Sequence, residues 1–249
     1  MNLPQVNPRG YPTRQMGYAH RRRRTATNKR FSENSRSRGL GVLFLDELPE
    51  FHRDVLEALR QPLEDGIVTV ARAGGTLRLP AQFQLVCAMN PCKCGWRGHP
   101  SGKCTCSDKE VEKYVQKISG PLLDRIDLHV NVPSVEYEAM RRKSKPESSA
   151  QVKERVDAAR AIQSRRFEGT GIPCNAQMPP PMVGRFCELD SRCDALMKSA
   201  FERMGLTARS HDRVLRVART IADLDGAEHI GVEHLSEAIQ YRNTDILKG

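Results

Sequence analysis

No stretch of this sequence approaches the ~20 consecutive apolar residues a membrane helix needs, and its charged N-terminus has no apolar core of the signal-peptide kind. Neither membrane insertion nor secretion is expected, and the cytoplasm is the expected compartment. No Gly-x-x-x-x-Gly-Lys-[Ser/Thr] run occurs, so the chain holds no Walker A loop to wrap phosphates. No internal repeat is visible, which argues against a solenoid. Aromatic side chains are scarce, and Trp96 is the one tryptophan. What remains is ordinary for a folded protein: 249 residues, 39% hydrophobic and 28% charged, enough for one large domain or two of usual size.

The net charge of +10 suggests nucleic acid until it is divided along the chain. Residues 1–40 hold ten Lys or Arg, with Arg21–Arg24 consecutive, against the single acid Glu33. The other 209 residues carry 30 basic and 29 acidic side chains, so the folded part is nearly neutral. The first 40 residues are poor in apolar side chains and show no periodicity, the composition of a disordered tail.

At Gly41 the character changes. Gly41-Val-Leu-Phe-Leu-Asp-Glu47 is an apolar run of the kind that forms a strand buried on both faces, as in a parallel sheet covered by helices. Phe51, Val55, Leu56, Leu59 and Leu63 keep helical spacing up to Asp65-Gly66. Ile67–Ala71 and Thr76–Leu79 flank Gly74-Gly75, a hairpin signal. A second strand is expected at Phe83–Met89 and a third at Ile126–Val132, closed by Pro133. Between them, Ser107-Asp108-Lys109-Glu110 reads as a helix start capped by Ser107 or Asp108. Beyond Pro133 the pattern is helical, with helices expected at Gln151–Phe167, Asp190–Met204, Thr207–Leu224 and Val232–Arg242. Pro173 and Pro179–Pro181 read as connections, and the domain boundary falls near Pro133–Ser149.

Chemistry concentrates in a few places. Asp46 and Glu47 close an apolar strand, and ligands of open α/β sheets bind at the carboxyl ends of strands. There an Asp can hold Mg²⁺ through its waters beside a nucleotide phosphate, and a Glu can orient and deprotonate an attacking water. The plainer alternative is a helix cap. Asn90 ends the second strand, where its amide can meet a γ-phosphate or serve an ordinary Asn-Pro turn. Four of the eight cysteines, Cys92, Cys94, Cys104 and Cys106, fall in the pattern Cys-x-Cys-x9-Cys-x-Cys. Four thiolates can supply a tetrahedral Zn²⁺ site, with His99 as a substitute ligand. The tight Cys-x-Cys spacing leaves a reduced, metal-free loop as the alternative. Trp96 and Arg97 inside that loop can stack on a nucleic-acid base, or Trp96 can anchor packing.

Taken together, Gly41–Phe51, Ala88-Met-Asn-Pro-Cys-Lys-Cys-Gly95, Ser119-Gly-Pro-Leu-Leu-Asp-Arg-Ile-Asp127 and the stretch Thr207–Leu224 resemble the magnesium-chelatase-like AAA+ family, in its YifB/ComM branch. The likeness runs from Gly41 to about Arg242. It implies an α/β fold: a truncated AAA+ parallel-sheet domain over 41–140, with a cysteine-rich insert at 92–106, followed by an all-helical lid domain over 141–249. Asp46 and Glu47 would be the Walker B pair, Asn90 sensor 1, and Arg125 an arginine finger reaching a neighbouring subunit. Arg209 would be sensor 2, with Arg213 the second candidate for that role. ATP and Mg²⁺ would be the cofactors. A homo-oligomeric ring, six subunits by analogy, would act as a DNA motor in recombination or natural transformation. For the arginines the alternative is a surface ion pair worth ~0–1 kcal/mol.

The resemblance also exposes gaps. The family's phosphate loop lies on a strand well before Walker B in sequence, a strand that sits between the sensor 1 strand and the final strand in the folded sheet, and an N-terminal Lon-like domain precedes it. Neither is found here. The chain therefore reads as the C-terminal part of a longer protein, or as one whose first 40 residues come from a shifted frame. A catalytically inactive or regulatory subunit and a magnesium-chelatase-type ATPase subunit are the competing readings. The cysteine loop after Asn90 favours the YifB/ComM branch over the chelatase.

Overall fold

The computed structural model describes residues 41–72, 75–133 and 147–242. The basic segment 1–40, and most of the expected boundary between Pro133 and Ser149, lie outside the described residues. The chain divides after Ile126 into two compact units.

In the first unit, β1 (Gly41–Leu45) pairs in parallel with β4 (Phe83–Cys87), in the register Gly41↔Phe83 to Leu45↔Cys87. Between them run β2 (Ile67–Arg72) and β3 (Gly75–Pro80), an antiparallel hairpin in the register Ile67↔Pro80. Leu43, Leu45, Phe83, Leu85 and Cys87 meet Leu48, Leu56, Leu59, Ile118 and Leu122 in one core. A fully buried leucine such as Leu56 or Leu122 contributes about 1.5–3 kcal/mol by leaving water. Burial of the sheet is one-sided. β4 alternates half-buried and exposed residues, and Val42 and Val86 face solvent, so the expected two-sided burial is not realised. Each sheet among the described residues has two strands.

The expected helix over 51–64 is broken in two, α1 (Arg53–Glu57) and α2 (Arg60–Asp65). Pro62 explains the break. It has no N–H for the carbonyl of Ala58 and its ring would crowd that turn, whereas in the first turn of a new helix the missing donor costs nothing. Gly66, at φ +65°, ends α2 in the left-handed conformation that glycine tolerates. α3 (Asp108–Val115) starts at Ser107, whose hydroxyl accepts from the Glu110 N–H while the Glu110 carboxylate accepts from the Ser107 N–H. A short α4 (Gly120–Leu123) follows, capped by Ser119.

The third expected strand, Ile126–Val132, does not form. The segment has no ladder partner among the described residues, and Leu128, Val130 and Val132 stand 49%, 65% and 81% exposed. Alternating apolar residues create a face, but a strand also needs a neighbour for its N–H and C=O groups. One bond does form within the second unit, from the His129 N–H to the Tyr241 carbonyl at 2.8 Å.

The second unit is helical: α5 (Ser149–Arg166), α6 (Pro180–Phe186), α7 (Ser191–Met204), α8 (Ala208–Leu224) and α9 (Val232–Gln240). α8 buries Val214, Leu215, Ala218 and Ala222 against Met197, Ile230, Leu235 and Ala238. Asp190 caps α7 by accepting the Cys193 N–H at 2.8 Å, and Thr207 caps α8 through the Ser210 N–H at 3.2 Å. Asp223, fully buried, is held by Arg166 at 2.7 Å, Arg219 at 3.1 Å and the Asn175 amide at 2.7 Å. Arg219 spends its other donors on the carbonyls of Glu228 and Ala227, so this buried charge cluster is well satisfied.

Candidate functional site

The carboxyl ends of β1 and β4 are clipped together by two main-chain bonds, Ala88 N–H to Leu45 C=O at 2.9 Å and Leu48 N–H to Ala88 C=O at 3.0 Å. The clip makes both strands release their next residues at one sheet edge. Asp46 and Glu47 leave β1 there with exposed side chains, and Asn90, also exposed, leaves β4. Glu47 sits at φ 52°, ψ 49°, the one non-glycine with positive φ among the described residues. That conformation costs an L-residue roughly 1–2 kcal/mol. Its N–H donates to Asp46 Oδ1 at 3.0 Å, and its carboxylate caps nothing, although Pro49 opens a 3-10 turn just after it. The helix-cap alternative therefore does not describe what the Glu47 side chain does. Strain of this kind concentrates where a side chain must be aimed.

Asn90 is bracketed. Its main chain lies against the Tyr114 hydroxyl of α3, whose pKa is pushed up, first by burial and then by the charge of Glu50. On the other side, a Cβ added at Gly95 would lie 3.9 Å from the Asn90 amide carbon, so the cysteine loop passes alongside the exposed Asn90 side chain. Arg125, just past α4, donates to the Pro121 carbonyl at 2.7 Å and pairs with Glu64 of α2; its side chain is 9% exposed. Within this chain the guanidinium is thus engaged by its own unit. Arg209 lies exposed in the first turn of α8 on the second unit, and Arg213, one turn on, pairs with Asp127 at 2.7 Å. The first unit therefore gathers Asp46, Glu47 and Asn90 at one edge, while Arg209 belongs to the other unit. Glu64 and Tyr114 were not readable as parts of this region, because neither lies in a motif and both arrive through folding.

The four cysteines converge. Cys92 Sγ lies 3.3 Å from Cys94 Sγ and 3.8 Å from Cys104 Sγ, Cys94 and Cys104 are 3.6 Å apart, and all four sulfurs fall within 4.8 Å of one another. Cys94 is drawn down to about 6, first by the main-chain N–H groups of Trp96 and Thr105 and then by the Cys92 thiol. Burial instead pushes Cys87, Cys187 and Cys193 up to about 11, which marks them as inert packing groups. His99, the expected substitute ligand, is outside this group. Its ring packs edge-on against Trp96 at 4.9 Å and its Nδ1 accepts from the Ser101 N–H. Lys103 Nζ sits 5.1 Å from the Trp96 ring centre, so one face of that indole already has a cation over it.

Among the described residues no helix is long and apolar enough to cross a membrane. Comparison with known proteins gives two adjoining matches. The model for magnesium chelatase, subunit ChlI, covers residues 29–140, and that for the ChlI C-terminal part covers 146–242. The chain is 42% identical to the competence protein ComM of Haemophilus influenzae, over 81% of its own length and 39% of that protein. It is 41% identical to the uncharacterized protein YifB of Escherichia coli, over 83% of its length and 40% of YifB. To the uncharacterized protein Rv2897c of Mycobacterium tuberculosis it is 40% identical, over 82% of its length and 40% of that chain. It thus spans about two fifths of the curated relatives it matches. Two family models in the right order, meeting near residue 140, agree with the mixed sheet unit and the helical unit of the structure: the chain belongs to the magnesium-chelatase-like family, of the ComM and YifB type.

Proposed function

We propose that this chain supplies the hydrolytic edge and the helical lid of a ring-forming, ATP-driven motor that acts on DNA in the cytoplasm. The observation that carries the proposal is the placement of Glu47. A carboxylate that makes no cap hydrogen bond, carried on a left-handed backbone, stands beside Asp46 on the edge that also releases Asn90. Mg²⁺ favours oxygen ligands and keeps several of its waters, and an exposed carboxylate pair suits it. Bound there with ATP, it would neutralise charge developing on the phosphates. Asp46 would hold the ion, Glu47 would take the proton of the attacking water, and the Asn90 amide would donate to the γ-phosphate or orient that water. Arg125 serves the nucleotide of a neighbouring subunit, which requires it to leave Glu64. Arg209, on the helical unit, is the candidate for the sensor 2 role. DNA as substrate and a ring of six subunits rest on family analogy and on the word competence in the name of one relative.

The donor set does not extend to the phosphates themselves. None of the 249 residues forms a Gly-x-x-x-x-Gly-Lys-[Ser/Thr] loop, and this supports the second reading, an inactive or regulatory subunit. The chain alone is therefore expected to hydrolyse ATP poorly. The test is a chimaera in which residues 41–242 replace the matching part of Haemophilus influenzae ComM. DNA-stimulated turnover that disappears on Glu47→Gln supports the motor. Turnover indifferent to Glu47→Gln overturns the assignment, and a chimaera that binds ATP but never hydrolyses it favours the regulatory reading.

A further inference from the structure

We propose that Cys92, Cys94, Cys104 and Cys106 form a structural zinc centre that staples the loop beside Asn90 to the start of α3. The argument begins with the loop. Between Cys87, the last residue of β4, and Asp108, the first of α3, no helix or strand forms, and Gly95, Gly98 and Gly102 turn the backbone through positive φ. A segment that long without regular structure needs something other than a main-chain ladder to hold one shape. Cys92 is nonetheless fully buried, and it is buried against other thiols.

Sulfur geometry then selects the occupant. A tetrahedron with Zn–S arms of ~2.3 Å has S···S edges of ~3.8 Å. The separations of 3.3, 3.6 and 3.8 Å, with all four sulfurs inside 4.8 Å, approach that figure. They are far beyond the ~2.05 Å of a disulfide, and too short to surround a multi-iron cluster. All-sulfur tetrahedral sites favour zinc among the common divalent ions. Four thiolates on one dication leave a net negative centre, and the loop carries its own compensation in Lys93, Arg97 and Lys103. Arg97 is fixed by Asp108 at 2.8 Å, in the first turn of α3, and feels the charge of Cys104 and Cys92. Main-chain N–H groups of Trp96 and Thr105 face the Cys94 sulfur, the outer-layer donation that steadies a metal thiolate. The paired Cys-x-Cys steps therefore tie two points about ten residues apart to one ion, directly before the Ser107 cap.

The centre stands apart from the nucleotide reading and is tested without ATP. Full-length chain purified under reducing, chelator-free conditions should contain about one zinc per molecule, released by a mercurial. Replacing that zinc with Co²⁺ should give strong thiolate-to-metal absorption with the visible bands of a tetrahedral all-sulfur site. Cys104→Ser with Cys106→Ser should abolish both signals, whereas Cys187→Ser should leave them. Zinc removal should speed amide exchange across residues 89–107 while leaving α7–α9 unchanged. Zinc-free protein whose cobalt spectrum is weak and octahedral, or a zinc-loaded chain in which the 89–107 amides exchange equally fast with and without metal, overturns the proposal. The cobalt spectrum is read on the unsubstituted chain, so a double mutant that fails to fold does not shield it.

Discussion

The two units close their structures in different ways. The helical unit keeps its backbone bonds local, caps its helices with Asp190, Thr207 and Ser148, and buries one continuous core from Phe167 to Ala238. The sheet unit pairs β1 with β4 and leaves Val42 and Val86 in solvent. The lesson is one of locality. A helix meets its own hydrogen-bonding needs within four residues, whereas a strand depends on a neighbour that a different stretch of sequence must bring. The catalytic candidates of the first unit sit where the strands stop, and the buried charges of the second sit where the helices pack.

The sharpest way to break this comparison is at the sheet edge. In complete rings built on this chain, Arg125→Ala should reduce hydrolysis by ~10³–10⁵ while leaving nucleotide binding nearly intact. Mixing it with Glu47→Gln subunits should restore part of the rate, because each supplies the half-site the other lacks. Mixed rings that form but stay inactive would leave Arg125 as the intrachain partner of Glu64. The next effect falls in the helical unit. Asp223→Ala leaves the largely buried Arg166 and Arg219 without their carboxylate and should cost about 3–5 kcal/mol in denaturant unfolding. Smaller still is the contrast between Leu235→Ala and Val42→Ala. The first opens a cavity worth about 2–5 kcal/mol, and the second, on the exposed face of β1, should stay within ~0.5 kcal/mol. A Val42 cost as large as that of Leu235 would mean that the open face of the sheet is covered in solution.

The smallest expected effect is a pH dependence. Asp190, accepting the Cys193 N–H, has its carboxyl held below the usual range. Its contribution is full above the pKa of the unfolded chain and is lost as pH falls through the folded value. Asp190→Asn, which keeps a capping oxygen without the charge, should flatten the acid limb of a stability–pH curve and leave the neutral region little changed.

How much could be read in advance follows the same locality. α7 and α8 were legible from Cys193, Met197 and Ala200, and from Val214, Leu215, Ala218 and Ala222, because helical spacing states the buried face directly. Pro180 and Pro181 looked like a connection, yet they open α6, where their fixed φ suits the first turn. Leu128, Val130 and Val132 spelled a strand, but alternation cannot announce that the pairing strand is missing from the described residues. At the candidate site, Asp46, Glu47 and Asn90 were legible as residues that follow apolar runs. The cysteine grouping was legible from spacing, and its exclusion of His99 was not, because a packing contact with Trp96 decides it. The left-handed turn at Glu47 was invisible as well, since glutamate does not signal that conformation and the bonds of Leu45 and Leu48 on either side of it go to Ala88, far away in sequence.

That turn has a consequence for how such a chain changes over generations. Glycine would occupy φ 52° without the steric cost a glutamate bears, so if Glu47 serves turnover as proposed, the residue that folds most easily at position 47 is not the one that position keeps. On the proposed reading, a relative that no longer hydrolyses nucleotide would gain stability by exchanging this carboxylate for glycine, and glycine at position 47 would be the mark of that loss.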